Sequence, residues 1–250
     1  MAVDKTSYGI DFYIEVLKGE KRGHSQEHVH GYTPNLGTSM EDVWDDGNTI
    51  MTYLSSAETI NVVSDSTSDT SGGTGVRTLQ VRGLDNNYNP ITETITMNGT
   101  TNVTTTTAFL RVLQLKSVTV GSTLHNVGKV TATATTTTTT PQDIMGATFN
   151  HSLNGHYTTP AGKYAIFANY EANVAKGQDV ILEVRVGKGH EMMELIHVNR
   201  MYQSTVFSPV PDAIIPPKTD LTFRAKSDTA NSAVATACNM IVIDEGFVTP

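Results

Sequence analysis

Apolar and polar residues alternate with a period of two over most of the chain. Ile60 and Val62 alternate in "ETINVVS" (58–64). In "VRTLQVRGLD" (76–85), Val76, Thr78 and Gln80 point one way, and Arg77, Leu79 and Val81 mostly the other, with a phase slip at the end. Val180, Leu182, Val184 and Val186 oppose Ile181, Glu183 and Arg185 in "DVILEVRVGKG" (179–189). Successive side chains of a strand point to opposite faces, so this pattern predicts half-buried strands. Further strands are expected over 91–97, 126–135, 157–174, 192–207, 221–227 and 233–244. "AFLRVLQLKSVTV" (108–120) reads as a long strand with a bulge, with a short helix as the alternative. "GIDFYIEVL" (9–17) is compatible with a strand.

The punctuation between these runs sets the organisation. "KGEKRGHSQEHVHGYTPNLG" (18–37) is polar and broken by Gly and Pro, and reads as an extended arm or long loop. "SDSTSDTSGGTG" (64–75) reads as a flexible polar loop. Asn98-Gly99 is a hairpin signal, because both residues tolerate the positive φ of a type I′ turn. "PVPDAIIPPKTD" (209–220) holds four prolines and reads as loop. Turns every 8–12 residues or so indicate a sandwich or barrel. The expected fold is therefore all-β: an N-terminal arm (1–45), a first antiparallel β domain (46–134), a Thr-rich linker (135–145) and a jelly-roll-like C-terminal sandwich (146–250).

Composition reinforces the strands. The 250 residues include 38 Thr against 10 Lys, and β-branched threonine fits a pleated surface. The formal net charge of −8 speaks against a nucleic-acid partner, which needs a basic footprint. No window approaches a membrane span, and the start shows no apolar signal segment, so no membrane partner is expected. Cys238 is the single cysteine, which leaves no internal disulfide. It falls inside a strand pattern and is expected to act as a small buried apolar residue.

Candidate chemistry is sparse. In "GHSQEHVHGY", His28 and His30 would share a strand face, a workable pair of metal ligands. The HExxH order is missing, so they read as solvated histidines, with a ring of them about a symmetry axis as the alternative. "EDVWDDG" (41–47) reads as a solvated acidic loop anchored by Trp44. "GHEMMELIH" (189–197) carries His190, Glu191, Glu194 and His197 among residues that read as core or interface. No G-x-S-x-G elbow or P-loop Lys occurs, and three Asn-x-Ser/Thr sequons (Asn98, Asn102, Asn150) fit a Thr-rich chain. No cofactor and no catalytic residue is expected; an enzyme would need a carboxylate pair in a cleft.

Several phrases together resemble virion structural proteins of tailed bacteriophages, especially marine ones. They are Trp44-Asp45-Asp46-Gly47; Asp69-Thr70 followed by Gly73-Thr74-Gly75-Val76-Arg77-Thr78; Gly83-Leu84-Asp85; and Glu93-Thr94 followed by Asn98-Gly99-Thr100-Thr101. "YTTPAGKYAIF" and "IIPPKTDLTFRA" are similar to the β-sandwich that often follows in that family. The resemblance implies a non-enzymatic virion component assembled in the host cytoplasm, either a capsid decoration or head-fibre protein. Its implied partners are the major capsid protein or other virion proteins, and further copies of itself, as a trimer. The arm would dock on the capsid lattice, and the histidine-rich arm is where this chain departs from the family. The alternative is a tail component that recognises host-surface glycan, with Tyr202, Phe207 and Asp212 as candidate contacts beside Trp44.

Overall fold

The computed structural model describes residues 10–45, 49–137, 139–174, 179–188, 191–202, 205–207 and 214–248. The described fold is all-β, with antiparallel sheets. In chain order it comprises α1 (Ile10–Leu17), β1 (His24–Leu36), β2 (Glu41–Asp42), β3 (Ile60–Ser64), β4 (Val76–Leu84) and β5 (Pro90–Thr96). Then come β6 (Val103–Thr104), β7 (Arg111–Val120), β8 (Val130–Ala134), β9 (Pro141–Met145), β10 (His156–Thr158) and β11 (Lys163–Val174). The chain closes with β12 (Val180–Lys188), β13 (Glu191–Met201), β14 (Thr205–Phe207), β15 (Ile214–Ile215), β16 (Asp220–Ser227) and β17 (Ser232–Asp244).

These strands make two halves. In the small half a four-stranded sheet, β6-β3-β8-β9, faces a three-stranded one, β5-β4-β7. Ile60, Val62, Leu79, Val81, Leu115 and Val130 form its core. In the large half β1-β17-β11-β14, with β15 on β11, faces β10-β16-β12-β13, with β2 on β16. Val180, Leu182 and Val184 turn inward from β12, and Val234, Cys238 and Met240 from β17. Burial of each large apolar side chain is worth ~1.5–3 kcal/mol, so alternation alone supplies a core to each half. Burial also pushes the Cys238 thiol pKa well up, which keeps it a protonated apolar residue.

Several expectations about the fold need correction. The 9–17 stretch contains a helix, not a strand. Gly19, at φ +72°, terminates it, with the Gly19 amide bonded to Val16 O and the Glu20 amide to Glu15 O. This is the paired bonding of a Schellman cap, which glycine enters without a Cβ penalty. Residues 24–36 are no free arm. β1 pairs with β17 from His24↔Ile243 to Leu36↔Ser232. Its polar look is one face only, because Val29, Gly31 and Thr33 alternate inward.

The Thr-rich segment is no linker at its end, since Pro141–Met145 pairs with β8 and buries Asp143, Ile144 and Met145. The 64–75 loop is pinned by the buried Asp69, which accepts from Ser64 Oγ (2.6 Å) and from the amides of Val76, Val127 and Gly128. Asn98-Gly99 joins no hairpin, because β5 pairs with β4 and β6 with β3. The β4–β5 hairpin closes over 85–89 instead, where Asp85 Oδ1 accepts from the Asn87 and Asn89 amides. The long strand over 108–120 does form, as β7, with register shifts against β4.

Candidate functional site

The chemically richest region is the seam where β1 and the 146–158 segment meet β7. It exists because backbones approach closely there. A Cβ on Gly31 would lie 2.7 Å from Val43 O and 2.8 Å from the Gly155 Cα. Gly155 itself sits at φ +58°. Any side chain at either position would part the strands. The segment is bonded on both sides. Tyr32 N–H donates to Leu153 O (3.1 Å) and Gly155 N–H to His30 O (2.7 Å). On the other side Ser117 N–H donates to Asn150 O (2.8 Å) and Ser152 N–H to Leu115 O (2.9 Å).

Ion pairs cross the same seam. Arg111 on β7 donates Nε to Asp220 Oδ1 (2.8 Å) and a terminal nitrogen to Oδ2 (3.0 Å). Its other terminal nitrogen reaches Leu54 O and Leu110 O, and its guanidinium lies 4.7 Å from the Tyr53 ring centre. Thr158 Oγ1 adds a hydrogen bond to Asp220 (2.6 Å). Arg82 on β4 grips Glu27 on β1 through two bonds, of 3.2 and 3.0 Å. The "EDVWDDG" residues are likewise structural. Glu41, Asp42 and Trp44 are buried, and Asp42 accepts from Arg224 Nε (2.9 Å) and the Met51 amide (2.6 Å). The expected solvated loop is therefore a packed one over its described residues. A short acidic stretch between a strand and an apolar residue carries no local sign of burial, because the arginine that neutralises it is far along the chain.

His28 and His30 do share a face of β1, and their ring centres are 3.9 Å apart. The structure adds His151, whose ring centre is 6.0 Å from that of His30. This partner escaped the sequence reading because it lies more than a hundred residues away, and only its place before "SLNG" near β7 brings it here. The row lines a cleft of about 420 Å³ together with Gln114, Lys116 and Asn150. A trough of about 380 Å³ continues past His30 to Tyr32, Phe149, Glu171 and Asn173. His30 is half-buried. Desolvation first, then the neighbouring His28 and His151, lowers its pKa to about 4.

Two further groups titrate abnormally here. His156 is fully buried against Trp44 (ring centres 6.4 Å apart), and its Nδ1 lies 2.8 Å from Asn154 O, which places the proton on Nδ1. Burial lowers its pKa. Asp143 is buried and accepts from Ser152 Oγ (2.7 Å); burial pushes its pKa up to about 7.

The other expected contacts scatter. Trp44 is buried at the seam, with Nε1 donating to Thr49 Oγ1 (3.1 Å), so it cannot meet a partner. Tyr202 is exposed, with the Arg200 guanidinium 5.7 Å from its ring centre. Phe207 lies in β14 opposite Tyr170. Asp212 lies outside the described residues. Among the described residues no group of three or more His, Cys, Asp or Glu side chains could hold a metal ion. No described helix is long and apolar enough to cross a membrane. A cleft of about 640 Å³ over β3 and β8 presents Asn61, Asn102 and a row of threonines, which supply hydroxyls and amides but no acid–base pair.

No family model matches the chain, and no curated protein does. Among solved structures, that of the infectious bursal disease virus Gx strain is 10% identical, covering 91% of this chain and 74% of that one at a TM-score of 0.19. The Gt strain structure is 9% identical over 96% and 79%, at 0.20. The VP2 subviral particle of the same virus is 9% identical over 95% and 79%, at 0.21.

Proposed function

We propose that this protein is a non-enzymatic structural component of a tailed-phage virion, displayed on the particle as a capsid decoration or head-fibre protein. One observation carries the reading: the residues on which the sequence resemblance rests are scaffold residues. Trp44 packs the seam. Asp69 gathers four donors, and its carbonyl receives the Gly99 amide. Arg77 donates Nε to Gly73 O (3.0 Å). Asp85 closes the β4–β5 hairpin, and Glu93 accepts from the Thr106 and Thr107 amides. Such phrases support the reading of a rigid body built for display.

Docking through a free arm is not part of this proposal, because residues 24–43 are built into the large half. Contacts to the major capsid protein or other virion proteins would come from the assembled surface. Self-association, as a trimer, has a suitable patch on β13, where Leu195 and Val198 are exposed beside Tyr202. Immunogold labelling of intact particles with antibody to residues 146–250 tests the assignment. Gold spread over the head is expected. Gold confined to the tail would favour a tail component that reads host-surface glycan, for which Tyr202 is the exposed described candidate. Particles without gold, despite accessible epitope, would overturn a virion role.

A further inference from the structure

We propose that the seam is an acid-operated latch: protonation of the His28–His30–His151 row pushes the 149–155 segment off β1 and loosens the two β halves from each other. The row sits where backbone bonds tie the 149–155 segment to β1 on one side and to β7 on the other, and Arg82 and Lys116 face it together with Glu27 and Glu171. From β1 come His28 and Glu27. From β4 comes Arg82, which lines a small crevice against His28 and His30 and already holds Glu27. From β7 comes Lys116, bridged to His151 and lining the same cleft. His156 and Tyr157 of β10 line the crevice too. β17 brings the neutral Asn239, bonded to His28 Nδ1. Glu171 on β11 lines the trough beyond His30, but is exposed, where water screens it.

His30 is held best while uncharged, half-buried with the His28 and His151 rings at close range. A proton on one raises the cost of a proton on the next, and Lys116 adds to that cost. Parting the seam relieves it by hydrating the rings. The sign follows from linkage. The parted state binds a proton at an ordinary histidine value near 6.5, whereas the closed seam holds His30 at about 4. Between those values the parted state binds more protons at His30, so the histidine row favours parting on acidification. Asp143, which Ser152 of the same segment bonds and whose pKa is raised to about 7, pulls the other way, and the row's share is the difference between the wild type and His30→Gln. His30 alone would raise the opening constant roughly tenfold between pH 7.5 and 5, after allowance for its half-exposure.

Amide hydrogen exchange on the full chain reads this locally, once corrected for the intrinsic pH dependence of exchange. The Tyr32 and Gly155 amides, which bond across the seam, should lose protection by about tenfold or more at pH 5. Amides of β12, inside the large half, should hold theirs. In His30→Gln the acid effect at Tyr32 and Gly155 should shrink to below about threefold. His151→Gln, which lies outside the β1–β17 ladder, should reduce it in part, and serves if the β1 variant fails to fold. Lys116→Gln should shift the opening midpoint to lower pH. Unchanged protection in the wild type, or an equal loss in the wild type and both histidine variants, would overturn the latch.

Discussion

The two halves are held together by different means. In the large half, β1, β17 and β11 run side by side for eleven or more residues each, in nearly continuous register. Backbone ladders and alternating apolar side chains dominate there. The small half has short strands, β3, β8 and β9 among them at five residues each, and long connections. Its turns are tied by carboxylates that collect backbone amides: Asp69, Asp85, Glu93 and Glu58, the last accepting from the Thr136 and Thr137 amides. Hydrogen bonds to the charged form lower the pKa of Asp85, Glu93 and Glu58. A Thr-rich sheet with few charges thus spends its acids on turns, whereas the large half adds ties of this kind at Glu41 and Asp42 to its long ladders.

The sharpest way to break this picture is at the seam's ion pair. Arg111→Ala should destabilise the protein by about 3–5 kcal/mol, because it leaves Asp220 buried and uncompensated. Denaturant unfolding measures it, and a loss below ~1 kcal/mol would mean the pair does not join the halves. Replacing Arg111 and Asp220 together by apolar residues of similar volume should cost less than either single change.

Asp69→Ala is next, with an expected loss of about 3 kcal/mol, since it strands three backbone amides. The same substitution at Asp85, which is only partly buried, should cost well under half of that. Equal effects would erase the distinction between buried and surface ties.

Asp143 sharpens the comparison through pH. Its folded-state pKa is raised to about 7, so the unfolded chain gives up the proton first as pH rises from about 4. Stability should therefore fall, by up to ~1.4 kcal/mol per pH unit, until pH passes about 7. Asp143→Asn should flatten that slope and leave the protein more stable than the wild type at pH 8. The carboxylates with lowered pKa act oppositely: their contribution is present above about pH 4 and is lost as pH falls through their folded values.

Gly19→Ala should have the smallest effect, about 1 kcal/mol and confined to α1, because its φ of +72° disfavours a Cβ although the space is open. Loss of helical signal without loss of global stability is the expected readout.

Alternation made most strands legible, including β3, β4, β12, β16 and β17, because each needs only one apolar face. The same logic hid β1. Its outward residues are His24, Gln26, His28 and His30, and its inward ones include Gly31 and Thr33, so the pattern looked polar throughout. β9 was masked by the threonine run before it. The Gly19 stop was visible but read as loop punctuation. Of the site, the His28–His30 pair was legible from i, i+2 spacing, whereas His151 and Lys116 were not. Their meeting is set by sheet packing, which local periodicity does not encode. The Arg111–Asp220 and Glu27–Arg82 pairs were missed for the same reason.

The central claim is that the chain is one body joined at the seam, not an arm and two domains on a linker. Scanning calorimetry of the full chain at neutral pH tests it most directly. A single endotherm whose calorimetric enthalpy equals its van't Hoff enthalpy is the expected result. Two resolved transitions, matched by folded fragments of residues 46–134 and 146–250 expressed alone, would contradict it.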